Sequence, residues 1–160
     1  GGATVRAMTT AAAVRACLFA LGDETFAVDV RLAREVVTFE EITPVPLAPP
    51  HVLGVANLRG DVVPVVDARP LLGLPARPDA RRRRALVLVG DGVQVALEVD
   101  AALGLDTFET VTPLADGVRA RTGPWTRGLL RRDDRVATWL DADRLVAALR
   151  PAAGGSPPEV

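Results

Sequence analysis

Apolar and polar positions alternate with a period of two along much of this chain. Cys17 to Leu21 is a short apolar run closed by Gly22-Asp23, after which Phe26, Val28 and Val30 alternate with Ala27 and Asp29. Alternation broken by a Gly-Asp step predicts a β-hairpin. The pattern returns later: Leu86 to Val89 is apolar, Gly90-Asp91-Gly92 is a turn, and Val93, Val95, Leu97 and Val99 alternate with Gln94, Ala96 and Glu98. Phe26–Val30 and Val95–Val99 can be laid over each other residue for residue.

The remainder of each half follows one plan as well. Leu58 to Leu72 has a looser counterpart in Leu129 to Val146, each reading as strand, charged turn, strand, Asp and a short helical segment. A proline-marked loop precedes each, at Glu41–His51 and Thr110–Trp125. These matches predict a degenerate tandem repeat; chance similarity among short strands is the competing account. Asp141 to Leu149 reads as a helix, with Leu145 and Leu149 on one face and Asp141 able to cap free amides, and Pro151 stops it. Ala68 to Leu74 reads as one further helical turn. Strands elsewhere and many Gly/Pro turns make the class all-β: two small barrels sharing a core, residues 15–74 and 85–150, joined by 75–84. Residues 1–14 and the Gly/Pro/Ser-rich 151–160 are expected to be flexible.

Between two of the apolar runs lies Gly54–Asp67, GVANLRGDVVPVVD. Its Asn57-Leu58-Arg59-Gly60 turn holds a charged Arg59 between buried strands, and Gly60 tolerates positive φ. An arginine displayed this way without a catalytic partner nearby in sequence reads as a recognition handle. Glu35, which interrupts the apolar start of Ala33–Val37, is placed to orient it through a forked, charge-assisted pair. Pro64 lacks an amide proton, so Val62–Val66 reads as an edge or rim strand.

Composition narrows the function classes. With 49% apolar residues over 160 and a formal net charge of −1, the chain can bury a core and has no global attraction to nucleic acid or anionic membrane. All 19 basic residues are arginine. One cysteine and one histidine build neither an internal disulfide nor a common zinc site, which favours a reducing, cytoplasmic setting. No apolar run approaches the about 20 residues that span a bilayer, and the N-terminal segment is too polar for a signal-peptide core.

Candidate chemistry is sparse. His51 follows two prolines with no nucleophile context, and Cys17 lies in an apolar strand where thiols are inert. No glycine-rich phosphate loop is present. Glu40-Glu41 and Asp133-Asp134 are neighbours that a strand would turn to opposite faces, so neither is an acid/base dyad. Arg81–Arg84 hints at single-stranded nucleic acid, but no aromatic is interleaved with it, and a solvated linker is the simpler account. Neither a cofactor nor catalysis is expected.

Cys17–Val30, Ala33–Pro46 and above all the NLRG turn with its Pro64-containing strand resemble the CheW family of bacterial chemotaxis adaptors, and the likeness persists more weakly through Arg84–Leu149. The resemblance implies two five-stranded barrels of SH3/OB-like type. It implies a non-enzymatic scaffold that couples the cytoplasmic tip of a methyl-accepting chemoreceptor to the regulatory domain of a CheA-type histidine kinase, in the cytoplasm at membrane receptor arrays. Family members carry a glutamate and an arginine at the places of Glu35 and Arg59, the arginine on the surface used for receptor or kinase contact. Val36, Val37, Leu58 and Val62, with Asn57 and Gly60 of the turn, are the further expected contacts; core packing is the plainer role for any one of the apolar four. The long Thr112–Arg127 loop and the Arg131–Asp134 turn depart from the family pattern. A regulatory module of a larger or non-motility signalling protein and an oligonucleotide-binding barrel are the alternative readings.

Overall fold

The computed structural model describes residues 13–76, 83–90, 92–114 and 123–150. Through them run the strands β1 (Val14–Leu21), β2 (Glu24–Asp29), β3 (Ala33–Phe39), β4 (Val52–Leu58), β5 (Asp61–Val66), β6 (Arg83–Gly90), β7 (Val93–Glu98), β8 (Ala101–Phe108), β9 (Thr110–Thr112), β10 (Thr126–Arg132) and β11 (Arg135–Leu140). Two helices join them, the single turn α1 (Arg69–Leu72) and α2 (Ala142–Leu149). Residues 1–12 and 151–160 of the expected terminal segments and 77–82 of the connecting segment lie outside the described residues, while Val14 already belongs to β1.

The strands form a six-stranded sheet, β8-β1-β2-β11-β10-β9, and a five-stranded one, β3-β6-β7-β5-β4. The two orders are the same once β1, β2, β3, β4 and β5 are matched with β6, β7, β8, β10 and β11. Thr43 stands where β9 would: it exchanges backbone hydrogen bonds with Val55 of β4 at 2.9 and 2.8 Å. The repeat legible in the sequence is therefore a repeat of structure. Its hairpins are exchanged: β1–β2 joins the sheet of the second half, and β6–β7 joins that of the first. A division near 75–84 thus separates the halves of the chain but not the two sheets. Each sheet curls into an open-ended barrel, the larger because β8 continues into β9 through Glu109 alone.

Exchange explains the continuous apolar runs in the hairpins, since a strand buried on both faces has no polar face to alternate. Ala16, Leu18 and Ala27 point into the six-stranded barrel with Phe108 and Leu130. Cys17, Phe19, Phe26 and Val28 point the other way, into a core shared with Leu86, Leu88, Val95 and Leu97 of the second hairpin. Phe19 and Phe26 are ladder partners whose rings stack at 5.9 Å. A third cluster, with Phe39, Leu58, Val63 and Val87, fills the five-stranded barrel. Helix α2 closes the shared core with Leu145, Val146 and Leu149. Its N-cap is Asp141, whose carboxylate accepts the Arg144 N–H at 3.1 Å, as expected.

Gly54 and Gly128 occupy matching bulges in β4 and β10, at φ 153° and 154°. A Cβ on Gly54 would stand 2.3 Å from the Thr43 carbonyl oxygen, and one on Gly128 would stand 2.8 Å from that of Thr112. Beside them Thr43 bonds to Val55 and Thr112 is laddered to Leu129, so each glycine sits where a neighbouring backbone approaches closely. Gly54→Ala is expected to cost roughly 2–3 kcal/mol in urea denaturation, through a strained φ and a contact the backbone must relieve. Gly128→Ala, with the looser contact, should cost less.

Candidate functional site

The β4–β5 hairpin turns on two residues, Arg59 at φ 52° and Gly60 at φ 92°. Positive φ at both matches the right-handed twist of the strands, and the first position of such turns is ordinarily Asn, Asp or Gly. An arginine there is uncommon. The turn is locked locally by Asn57, whose side-chain oxygen accepts the Gly60 N–H at 3.0 Å. It is held at a distance by Glu35: Arg59 Nη1 donates to Oε2 at 2.5 Å, and Nη2 donates to Oε1. Because β3 and β4 are the two outer strands of the five-stranded sheet, this fork spans the barrel's open seam.

The hydrogen bonds from Arg59 hold the Glu35 carboxyl below its ordinary range, and those same bonds raise the guanidinium's pKa. The Arg59 side chain remains 69% exposed despite the pair. Arg59 is thus oriented but not hidden, which suits a group that meets a second partner on its outer edge.

The other expected residues divide by face. Val62, laddered to Asn57, points outward and is 71% exposed. Val36 is exposed on β3, on the opposite face from Glu35. Val37 is half-buried against the barrel interior, and Leu58 is buried within it. The structure therefore brings Glu35, Asn57, Arg59, Gly60 and Val62 to one hairpin end, with Leu58 packed beneath as its support. The expectation of an edge strand needs correction. β5 lies between β4 and β7, but its ladder to β7 begins only at Val65, so only its first half is a rim.

His51 is half-buried, and its carbonyl accepts the Asp67 N–H at 2.8 Å. Cys17 is buried, which pushes its thiol pKa up. Glu40, Glu41, Asp133 and Asp134 are all exposed. Of the arginine run, Arg81 and Arg82 fall outside the described residues. Arg83 approaches Glu98 at 3.5 Å and Arg84 donates to the Asp100 carbonyl at 3.4 Å, so the described half is a structural contact rather than a solvated linker. Among the described residues no group of three or more His, Cys, Asp or Glu is placed to hold a metal, and no helix is long and apolar enough to cross a membrane.

One charged residue escaped the sequence reading. Arg69 opens α1 and its side chain is only 3% exposed. Nη1 donates to Asp67 at 2.9 Å and to Glu98 at 2.6 Å, while Nη2 donates to Asp100 at 2.9 Å. Burial works against its charge, and the carboxylates of Asp100 and Glu98 more than offset this, raising its pKa. The available signal was the pair of acids in the LEVDA stretch, Glu98 and Asp100, one of which interrupts a strand whose neighbours are all apolar.

The model of the CheW-like domain matches residues 15–150. The chain belongs to the CheW family. A chemotaxis protein CheW of Rhizobium meliloti is 33% identical over 127 residues, covering 78% of this chain and 82% of its own. The chemotaxis protein CheW of Thermotoga maritima is 32% identical, covering 80% and 84%. The crystal structure of the scaffolding protein CheW from Thermoanaerobacter tengcongensis superposes with a TM-score of 0.74, at 24% identity, over 84% of this chain and 92% of that one. The all-β, two-sheet architecture of this CheW-like domain is thus that of a solved CheW protein. Its larger sheet has six strands where five were expected.

Proposed function

We propose that this CheW-like domain acts by binding rather than by catalysis. It couples the cytoplasmic tip of a transmembrane chemoreceptor to the regulatory domain of a CheA-type histidine kinase, and is thereby recruited to receptor arrays at the membrane. The reading rests on family membership and on one observation: Arg59 stands exposed in an uncommon backbone conformation, aimed by Glu35 and flanked by the exposed Val62. Glu35, Asn57, Arg59, Gly60 and Val62 form the contact end. Val36 extends the contact along β3, and Val37 and Leu58 support it from beneath. The mechanism is geometric: a rigid hairpin presents one oriented cation and an apolar rim, so a partner with a carboxylate beside an apolar patch is recognised and held in one pose.

Calorimetric titration against the regulatory domain of the CheA-type kinase from the same genome tests this directly. Binding at micromolar affinity or tighter is expected. No binding by a protein shown to be folded, either to that domain or to the receptor tip, would overturn the adaptor reading.

A further inference from the structure

A chain that exchanges hairpins between two sheets must cross between them twice, and the duplication makes the two crossings comparable. The first is the 3-10 turn Val30–Leu32, leading from β2 of the larger sheet to β3 of the smaller. The second is Val99–Asp100, leading from β7 of the smaller sheet to β8 of the larger. Superposing the repeats sets Asp29 against Glu98, Arg31 against Asp100, Asp141 against Asp67, and Asp143 against Arg69. The charges are reversed between the halves at the second and fourth of these pairs, Arg31 against Asp100 and Asp143 against Arg69, and their settings differ.

At the first crossing Arg31 turns back on its own strand end, donating from Nε and Nη2 to Asp29 at 3.1 Å each, and its side chain is 81% exposed. The Asp143 carboxylate influences it only through space. Asp141 is engaged with its own helix. Among the described residues these side chains make no hydrogen bond to the other sheet, and the crossing is held by Leu32 packing against the shared core.

At the second crossing the Arg69 guanidinium sits among three carboxylates, with Glu98 fully buried. Asp100 extends the set to the other sheet: its carboxylate accepts the Gly22 N–H of the β1–β2 turn at 2.5 Å, and its own N–H donates to the Ala20 carbonyl at 2.9 Å. The Val99 N–H donates to the Arg84 carbonyl of β6 at 2.9 Å. One side chain thus joins the segment leaving β5, the end of β7, the crossover and the turn of the exchanged hairpin. Buried ion networks contribute little net stability compared with apolar packing, and their best-attested use is to fix geometry.

We propose that Arg69 is a positioning residue that locks the second crossing, so that β8 and the larger sheet keep a fixed pose relative to the hairpin that displays Arg59. The first crossing has no matching ion network among the described residues. A lysine cannot serve in its place, because a single nitrogen does not bridge carboxylates on two sides as the guanidinium fork does. In its consequence for signalling the inference rests on the adaptor reading: a rigid second crossing is what passes displacement of one barrel to the kinase-facing end of the other.

Amide hydrogen exchange on the parent and on Arg69→Lys tests the lock without reference to any partner. Gly22, Val99 and Asp100 are expected to exchange at least about tenfold faster in the variant, while amides of the β4–β5 ladder keep their parent rates. Uniform acceleration across all ladders, or no acceleration at the crossing, overturns the proposal. Should Arg69→Lys not fold, Asp100→Asn, which leaves the Arg69–Glu98 contact in place, is expected to open Gly22 and Asp100 selectively, and unchanged rates there overturn it equally. In the signalling arm, Arg69→Lys should bind the kinase domain like the parent but support at least fivefold less receptor-dependent kinase activation; full activation removes the functional consequence. Failure of the parent to bind kinase counts against the adaptor reading alone, since the exchange rates judge the lock independently.

Discussion

Arg69→Ala is expected to lose about 3–5 kcal/mol of unfolding free energy, the ordinary cost of stranding a buried charge by deleting its partner. For a domain of this size that corresponds to a fall in melting temperature of roughly 10 °C. The effect arises less from the lost bonds than from what remains: Glu98 has no exposed surface, and it loses its 2.6 Å partner while keeping Arg83 at 3.5 Å. The paired variant Arg69→Met/Glu98→Gln discriminates between causes. It removes the buried carboxylate charge that has lost its closest partner and fills part of the space, so more than half of the lost stability should return. If the double variant is as unstable as Arg69→Ala, the loss is one of packing at α1, and the electrostatic account fails.

Arg69 also shows where sequence reasoning runs out. The hairpins β1–β2 and β6–β7 were legible because strands buried on both faces carry an unmistakable apolar run. The N-cap Asp141 was legible because capping is local. The Arg59 turn was legible for the same reason: turn chemistry is written in adjacent residues. Arg69 meets Glu98 and Asp100 only because β5 and β7 lie side by side, paired in parallel at Val65–Ala96 and Val66–Leu97. Parallel pairing joins residues far apart in sequence and leaves no local signature. The strand β8 escaped notice for another reason. Leu103 and Leu105 face outward and Gly104 interrupts the run at φ 96°, so its apolar pattern does not mark a buried face. The exchange of hairpins was illegible as well, because each hairpin satisfies its own turn and alternation whichever sheet receives it.

The two halves of the duplication have diverged in a way that separates fold from recognition. What both retain is what bends the sheets: Gly54 and Gly128 at the bulges, Phe39 and Phe108 inside the barrels, Ala68 and Ala142 beneath the helices. What differs is displayed. The β10–β11 turn sets Asp133 at φ 54° where β4–β5 sets Arg59 at φ 52°. There the seam is spanned by Asp106, paired with Arg132 at 2.5 Å and Arg135 at 3.1 Å, so the cations flank the turn instead of occupying its tip. Of these two matching turns, only β4–β5 sets a guanidinium at its tip.

Substitutions at that tip should therefore uncouple binding from stability. Arg59→Asn places the residue that such turns prefer at the first positive-φ position, so the melting temperature is expected to stay level or rise. Kinase or receptor affinity should nevertheless fall at least about 30-fold, the loss typical of truncating a central interface arginine. Arg59→Glu should bind no better, because it sets a carboxylate against Glu35 and against whatever acid the partner presents. The decisive variant is the exchange Glu35→Arg/Arg59→Glu. It rebuilds a forked pair across the barrel seam, so if the pair matters only as a staple for the hairpin, binding returns with it. If Arg59 is the recognised group, the exchange presents a carboxylate where the partner needs a cation, and affinity stays as low as in Arg59→Glu while the fold is intact. The geometry favours the second outcome: the fork to Glu35 uses two of the five guanidinium N–H groups, and the side chain is still 69% exposed. A staple alone would need neither the unfavourable backbone conformation nor the length of an arginine, since Asn57 already locks the turn from within.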